Sequence, residues 1–382
     1  MSVVPVIKWH ERGAERQARW HSASGATAPG RVEVADDSMS ADRAYRMACE
    51  GTGLLWRGDF QNARLLLQAL MRRVDAKPDK PRKPRAAPAV ALAPAQAFHL
   101  HRMAQAQRAR ILGMLLLPFD AGHVVPLRRA PDVQGAGLQA WGAAAEPYVA
   151  SLRELLGAIG AFEWRRKGVE IAALRARIHP HYGVFSPVRG EYLALVAKAP
   201  LKDAQLAFDI GTGTGVLAAL LAHRRVPRVV ATDNDARALT CARDNITRLG
   251  LAAQVQVIEA DLFPPGQAPL VVCNPPWVPA RPAAPLEHAI YDPESRMLRG
   301  YLAGLAAHLT PDGEGWLIMS DLAEHLGLRA PALLANAIAA GGLRVVARID
   351  TRPQHAKAYD AADPLHAARK AEVTTLWRLA AA

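Results

Sequence analysis

The sequence has little of what extracellular or metal-dependent proteins use. Cysteine occurs only three times in 382 residues, at Cys49, Cys241 and Cys273. No two of these have the short spacing of a zinc site, and three cysteines are too few for a disulfide framework. We therefore expect a reducing compartment, the cytoplasm, and no bound metal.

Long apolar runs are also missing. Hydrophobic residues make up 51% of the chain, yet no run reaches the ~18 residues that a membrane helix requires. The first 20 residues carry charges and lack the apolar core of a secretory signal. These absences predict a soluble protein with no membrane partner. At ~150 residues per domain, the length predicts two or three domains.

Acidic residues fall short of basic ones almost only in the N-terminal half of the chain. The net charge is +12, and residues 1–180 hold 27 basic but 16 acidic residues. The remaining residues hold 20 and 19. This asymmetry favours an anionic partner such as RNA, a ribosome or DNA for the N-terminal half. The alternative is an arginine-rich surface that is exposed to solvent and binds no anionic partner.

The composition divides the chain into three regions. Residues 1–41 are polar with little periodicity, which predicts a flexible arm. Residues 42–176 show apolar positions at helical spacing, which predicts a mainly helical substrate-recognition domain. Within it, residues 42–75 are expected to form two helices, the second capped by Asp59 or Asn62. Residues 77–94 are basic and rich in proline, which favours an exposed linker, although such a segment can also contact phosphates.

Strand and helix patterns alternate in the third region, residues 177–382. Apolar runs predict seven strands at residues 206–210, 228–232, 255–259, 270–273, 315–320, 343–349 and 372–379. This alternation is typical of an α/β, Rossmann-like, seven-stranded and mostly parallel sheet with helices on both faces. The last two strands have no clear helix between them, so we expect them to pair antiparallel.

A glycine-rich turn follows the first of these strands. Asp209, Gly211, Gly213 and Gly215 form D-x-G-x-G-x-G, in which the glycines allow a tight turn close to a ligand. Asp233 lies 22 residues after Gly211 at the end of the second strand, where a carboxylate can accept both ribose hydroxyls. This pattern suits a dinucleotide or another adenosyl cofactor. A nicotinamide-dependent dehydrogenase is therefore an alternative, although it leaves the NPPW segment below unexplained.

Four segments in order, DIGTGTG, ATDND, EADLF and NPPW, resemble the class I S-adenosylmethionine-dependent methyltransferases. NPPW is similar to the [DNS]-P-P-[YFW] motif of the amino-methyltransferases, which act on planar nitrogens. The resemblance implies S-adenosylmethionine as cofactor, with its methionine part inside residues 211–215, its ribose on Asp233 and its adenine on Asp261. Arg189 is our candidate for the cofactor carboxylate, with a surface arginine as the alternative. The implied cofactor-binding residues are Asp209, Gly211, Thr212, Gly213, Gly215, Asp233, Asn234, Asp261, Leu262, Asn274 and Arg189.

The NPPW segment has a chemical reason for its residue types. An exocyclic or amide NH₂ is a poor nucleophile because its lone pair is delocalised. The Asn274 side-chain oxygen and the Pro275 carbonyl can each accept one N–H, which favours the pyramidal form of the nitrogen. Pro275 and Pro276 stiffen the backbone, and Trp277 can stack on a planar substrate group. The alternative is a rigid turn with Trp277 in the core.

The substrate remains open between two classes. The basic N-terminal half favours a base in RNA or DNA, or a ribosome-associated target. The resemblance also implies a glutamine amide in a release factor or ribosomal protein. Residues 288–300 are only loosely similar to the EP-x-x-A-L-x-G-G segment of the glutamine methyltransferases, since the double glycine is absent. A remote alternative is a non-catalytic nucleotide- or RNA-binding module. Residues 177–200 are expected to cover the cofactor or to connect the domains.

Overall fold

The computed structural model describes residues 5–76, 92–187, 190–354 and 356–382. The chain divides into two compact units. The first comprises Met1–Leu92 and His99–Glu163, and the second comprises Ala93–Phe98 and Trp164–Ala382. Within the described ranges, no helix is both long and apolar enough to cross a membrane.

The first unit is built on a six-stranded sheet with the order β1-β2-β6-β5-β4-β3. β3, β4 and β5 run parallel, and β6 pairs antiparallel with β5. The elements up to residue 167 are β1 (Val6–Glu11), β2 (Ala14–Trp20), β3 (Arg31–Ala35), α1 (Ala41–Cys49), β4 (Thr52–Trp56), α2 (Phe60–Asp75), α3 (Pro94–Leu112), β5 (Leu115–Phe119), α4 (Gln134–Trp141), β6 (Tyr148–Ser151) and α5 (Leu152–Lys167). The first turn of α3 and the last residues of α5 are assigned to the second unit.

Two sequence predictions for this region are wrong. The flexible arm predicted at residues 1–41 contains β1, β2 and β3, which bury Ile7, Trp9 and Trp20 on one face of the sheet. The mainly helical domain predicted at residues 42–176 is α/β. Its TGLLW segment, expected to join two helices, is the fully buried strand β4. A short apolar run buried on both faces carries no strand periodicity, so it cannot be told from part of a helix.

Asp59 caps α2, as predicted: its side chain accepts from the Gln61 backbone N–H at 2.9 Å. The Arg129 guanidinium bonded to it lowers the pKa of Asp59 to about 2. The proline-rich segment lies almost entirely outside the described residues, which resume at residue 92. α3 begins at Pro94.

The second unit contains the predicted seven-stranded sheet, in the order β11-β10-β9-β12-β13-β15-β14. The five strands from β9 to β13 are parallel, and β15 lies antiparallel between β13 and β14. The elements after α5 are β7 (Val169–Ile171), β8 (Ala176–Ile178), α6 (Glu191–Lys198), β9 (Leu206–Ile210), α7 (Val216–His223), β10 (Arg228–Asp233), α8 (Ala236–Arg248), β11 (Val255–Glu259), β12 (Ala268–Cys273), α9 (Arg296–His308), β13 (Leu309–Ser320), α10 (Leu322–His325), α11 (Ala332–Ala340), β14 (Leu343–Thr351), α12 (His366–Ala371) and β15 (Thr374–Ala381).

Helices cover both faces of this sheet. Apolar side chains of α6, α7 and α8 pack on one face, and those of α9 and α11 pack on the other. The predicted boundary at residue 177 falls too late, since the second unit already includes Trp164. Ile171, Leu174 and Ile178 belong to the same apolar cluster as α6 and α7, so β7 and β8 form part of this core.

Strand register brings the predicted site residues to one edge of the sheet. Ile210 at the end of β9 pairs with Thr232 of β10 and with Cys273 of β12. Gly211, Asp233 and Asn274 are the residues that immediately follow these three. In a parallel sheet, they therefore meet at the carboxyl edge, where open α/β sheets bind their ligands.

Candidate functional site

The glycine-rich turn between β9 and α7 has the predicted left-handed backbone. Gly211, Gly213 and Gly215 have φ values of 73°, 55° and 81°. A Cβ on Gly215 would lie 3.3 Å from the Ala242 Cα atom, so this glycine permits close packing on α8. A Cβ on Gly213 would meet no atom within 4 Å. Space is therefore open beside the middle of the turn, where a ligand can approach the backbone.

The Asp209 carboxylate organises the base of this turn. Its Oδ2 accepts from the Thr212 hydroxyl at 2.6 Å and from the Ala218 N–H at 3.0 Å. Its Oδ1 is buried without a hydrogen-bond partner among the described residues. Burial raises the pKa of Asp209 to about 6, although the two hydrogen bonds oppose that shift.

The Asp233 carboxylate lies across the turn from Asp209. Its Oδ2 accepts from the Gly213 N–H and its Oδ1 from the Asp235 N–H, both at 3.0 Å. Burial raises the pKa of Asp233 as well. Each carboxylate oxygen keeps a lone pair for a further donor. The Asp233 carboxylate thus lies beside a turn with an open side and can accept further hydrogen bonds from a ligand.

Asp261 lies one strand further along the same edge, after β11. Its Oδ2 pairs with the Arg296 guanidinium at 2.6 Å, and its Oδ1 accepts weakly from the Asn234 side chain at 3.4 Å. Both partners of the ion pair are more than half exposed. Leu262 has a φ of 78°, and its carbonyl accepts from the Thr232 hydroxyl at 2.6 Å. The structure thus brings Asp233, Asn234, Asp261 and Leu262 together, as the sequence predicts.

The NPPW segment follows β12 at the same edge. The Trp277 indole N–H donates to the Asn274 Oδ1 at 3.0 Å. Pro275 is buried, whereas Asn274, Pro276 and Trp277 are half-buried. Trp277 packs against three apolar clusters. The amide oxygen has two lone pairs. The hydrogen bond from Trp277 orients this oxygen and leaves one lone pair that can accept an N–H group of a ligand.

The start of α9 also contributes to the site. The Asp292 carboxylate accepts from the backbone N–H groups of Met297 at 3.0 Å and Leu298 at 3.2 Å. Met297 Cε, the flexible end of its side chain, lies beside Gly211, and an added Cβ at position 211 would displace it. Glu294 and Ser295 both have left-handed backbones, with φ values of 58° and 56°. Such strain persists only where the surrounding structure enforces it.

Sequence reasoning missed two buried side chains that hold the site together. The Asn245 Nδ2 donates to the Thr214 carbonyl at 3.0 Å, and its Oδ1 accepts from the His179 N–H at 2.7 Å. It therefore links the glycine-rich turn to the segment before α6. Arg329 donates to the Trp277 carbonyl at 3.2 Å. A polar residue on the apolar face of an amphipathic helix was an available signal for Asn245. The sequence offers no comparable signal for Arg329, because most arginines are exposed.

Other predicted residues remain untested. Arg189 lies outside the described residues, so its role at the cofactor carboxylate stays a prediction. The Glu191 carboxylate accepts from the Gln354 backbone N–H at 2.9 Å. Within the described part of the chain, no group of three or more His, Cys, Asp or Glu side chains is arranged to hold a metal ion.

Comparison with known proteins agrees with this geometry. Residues 175–329 match the model of the Methyltransferase small domain family. The release factor glutamine methyltransferase of Cereibacter sphaeroides is 34% identical over 33% of this chain and 43% of its own length. The tRNA1(Val) (adenine(37)-N6)-methyltransferase of Shewanella sp. (strain MR-4) is 29% identical over 27% of this chain and 46% of its own length.

The chain thus spans less than half the length of these curated relatives. Among solved structures, TrmN from Thermus thermophilus is 20% identical, with a TM-score of 0.36, over 52% of this chain and 49% of its own chain. The family match confirms the resemblance to methyltransferases predicted from the motifs. The sheet order of the second unit confirms the predicted Rossmann-like fold.

Proposed function

We propose that the protein is an S-adenosylmethionine-dependent methyltransferase that modifies a planar nitrogen in a macromolecule. The observation that carries this proposal is the Asn274 side-chain oxygen, oriented by the Trp277 indole at 3.0 Å. It lies on the same sheet edge as the glycine-rich turn. The proposed acceptor site and the proposed cofactor turn would then occupy neighbouring strand ends, β12 and β9.

The residues at the turn suit S-adenosylmethionine, which would supply a methyl group on a sulfonium and which also carries an ammonium. The open side of Gly213 gives room for a ligand beside the backbone. Asp209 and Asp233, whose pKa values burial raises, would be compensated by positive charge. Asp233 would hold the ribose, and Asp261 with Asn234 would hold the adenine end. Asn274, Thr212 and Leu262 complete the set implied by the resemblance.

The same charges argue against a nicotinamide dinucleotide. In dinucleotide-binding folds, the anionic pyrophosphate lies at the start of the helix after the glycine-rich turn. Here that position faces Asp209, whose Oδ2 already accepts the Ala218 N–H of α7. A pyrophosphate beside this carboxylate would add like charge at a buried site.

The chain's own residues can promote attack by a weakly nucleophilic nitrogen. The free lone pair of Asn274 Oδ1 and the Pro275 carbonyl would accept the two N–H groups of an NH₂. In this arrangement the nitrogen lone pair would be out of conjugation and would point toward the cofactor at the glycine-rich turn. The two prolines hold the backbone in place. Positioning and fixed dipoles of this kind need no strong base near the nitrogen.

For the substrate, we favour a base in RNA or DNA, or a ribosome-associated target. The charge excess of residues 1–180, 27 basic against 16 acidic, supports an anionic partner for this region. A glutamine amide of a release factor or ribosomal protein is the second candidate. It is supported by the similarity of part of this chain to a release factor glutamine methyltransferase. We expect the protein to act in the cytoplasm.

Methyl-labelled S-adenosylmethionine tests this proposal in a cell lysate supplemented with the purified protein. We expect the macromolecular fraction to acquire label only when the protein is present. Loss of that label after nuclease digestion would support a nucleic-acid target, and loss only after protease digestion would support the glutamine alternative. Binding of NAD without binding of S-adenosylmethionine in calorimetry would refute the proposed activity.

A further inference from the structure

Arg329 is a charged residue with almost no access to solvent. It lies between α10 and α11, and its side chain is 1% exposed. A guanidinium loses much favourable hydration in such a place, so it needs several hydrogen-bond acceptors around it. The identity of those acceptors shows what the residue holds together.

The acceptors come from three segments: β13, the NPPW segment and α10. The Nη2 donates to the Ser320 carbonyl at 2.6 Å, at the end of β13. The Nη1 donates to the Trp277 carbonyl at 3.2 Å, in the NPPW segment, and contacts Met319 Sδ at 3.4 Å. The Nε pairs with the Glu324 carboxylate at 3.4 Å. The planar guanidinium of Arg329 therefore joins the NPPW segment to β13.

This link continues to the acceptor atom. The Trp277 carbonyl is fixed by Arg329, and the Trp277 indole N–H donates to Asn274 Oδ1 at 3.0 Å. Holding the carbonyl restricts rotation of the backbone that carries the indole. The direction of the Asn274 oxygen, from which the acceptor nitrogen would be held, thus depends on Arg329 through two hydrogen bonds.

We propose that Arg329 is a positioning residue of the acceptor site, which fixes the Trp277 carbonyl so that the indole orients Asn274. This inference rests on the proposed function, since it concerns how that site holds its acceptor nitrogen. The planar fork of arginine explains the choice of residue. It reaches carbonyls in two segments at once, whereas the ammonium of lysine is a compact point charge with shorter reach.

Arg224 provides a matched control in the same unit. Its Nη1 donates to the Val196 carbonyl at 2.6 Å and its Nη2 to the Ala199 carbonyl at 2.7 Å. Like Arg329, it fastens carbonyls at the end of an element, α6 in this case. Neither carbonyl belongs to the NPPW segment. Arg224→Lys should therefore show the loss of stability that follows when an arginine no longer bonds two backbone carbonyls. It should not disturb the acceptor site.

The experiment compares Arg329→Lys and Arg329→Met with Arg224→Lys. Calorimetry with S-adenosylmethionine and thermal unfolding serve as checks on folding. Methyl transfer is measured on the lysate fraction that the wild-type protein labels. We expect Arg329→Lys to lower kcat at least about tenfold, the effect of one lost interaction in the transition state. Its cofactor Kd should stay within about twofold of wild type. Arg329→Met should lower kcat further, and Arg224→Lys should leave kcat unchanged.

Equal kcat values for Arg329→Lys and Arg224→Lys would overturn the inference. Hydrogen exchange is a measurement that does not require the substrate that accepts the methyl group. The Val278 N–H donates to the Ile290 carbonyl at 3.2 Å, so it reports on the order of the NPPW segment. We expect faster exchange at Val278 in Arg329→Lys but not in Arg224→Lys. If the wild-type protein transfers no methyl group, the proposed function fails. Unchanged exchange at Val278 in Arg329→Lys refutes the positioning role by itself.

Discussion

The indole nitrogen of Trp277 lies 3.0 Å from the side-chain oxygen of Asn274, to which it donates a hydrogen bond. Trp277 therefore does more than pack against the core. It orients the oxygen from which an acceptor nitrogen would be held. The sequence predicts a stacking role for this indole, whereas the structure adds a hydrogen-bonding one.

Trp277→Phe tests this bond because it keeps an aromatic ring and removes the donor. We expect kcat to fall about tenfold, which corresponds to the ~1.4 kcal/mol of one oriented hydrogen bond. The Kd of S-adenosylmethionine should be unchanged. Trp316→Phe is the matched control, since that indole donates to Glu314 at 3.2 Å in the same sheet. An equal loss of kcat in both variants would count against the orienting role.

Asp233→Asn should weaken cofactor binding. The Asp233 carboxylate accepts N–H groups on both oxygens, from Gly213 and Asp235. An amide would set its NH₂ against one of these donors and would leave only one oxygen to accept the ribose hydroxyls. We expect the Kd of S-adenosylmethionine to rise at least about tenfold, as for loss of one charge-assisted hydrogen bond. Asp235→Asn, at the cap of α8, should leave the Kd unchanged, because asparagine caps equally well.

Gly213→Ala separates backbone strain from steric occlusion. Gly213 and Gly250 both have left-handed backbones, with φ values of 55° and 71°, and a Cβ on either would meet no atom within 4 Å. Alanine should therefore destabilise the fold by a similar ~1 kcal/mol at both positions. Only the methyl group at position 213 would enter the space we assign to the cofactor. Calorimetry should show weakened cofactor binding for Gly213→Ala and unchanged binding for Gly250→Ala.

The raised pKa of Asp209 predicts a pH dependence of stability. Burial raises this pKa from 3.8 to about 6 in the folded state. Between these values the folded state binds more protons than the unfolded state, so the Asp209 contribution to the free energy of unfolding falls as pH rises through that window. Asp209→Asn removes this contribution. Denaturant unfolding should show that the variant gains stability relative to wild type on going from pH 4 to pH 8. A relative stability independent of pH would contradict this assignment.

Much of the second unit could be predicted because its signals are local. Each of the five parallel strands ends at, or is followed by, a polar or glycine residue, and the carboxyl edge of a Rossmann-like sheet brings these residues together. Gly211, Asp233 and Asn274 therefore fell into register as expected. The resemblance then supplied the cofactor class, and the family match over residues 175–329 confirms that resemblance.

The rest depends on contacts distant in sequence. β4 is buried on both faces, so its TGLLW run shows no strand alternation and was expected only to join two helices. β1 is an edge strand, and β1 and β2 both carry exposed polar residues, so residues 1–41 show no clear strand pattern. Arg329 reaches Trp277 across 52 positions. Only the folded chain shows that this arginine is buried.

The position of the transferred methyl group tests the central claim most directly. Mass spectrometry of the labelled macromolecule, after digestion to nucleosides or amino acids, identifies the modified atom. We predict a methyl group on an exocyclic or amide nitrogen with the wild-type protein and none with Asn274→Ala, while Asn274→Ala still binds S-adenosylmethionine. A methyl group on carbon or oxygen, or unchanged transfer by Asn274→Ala, would contradict the account.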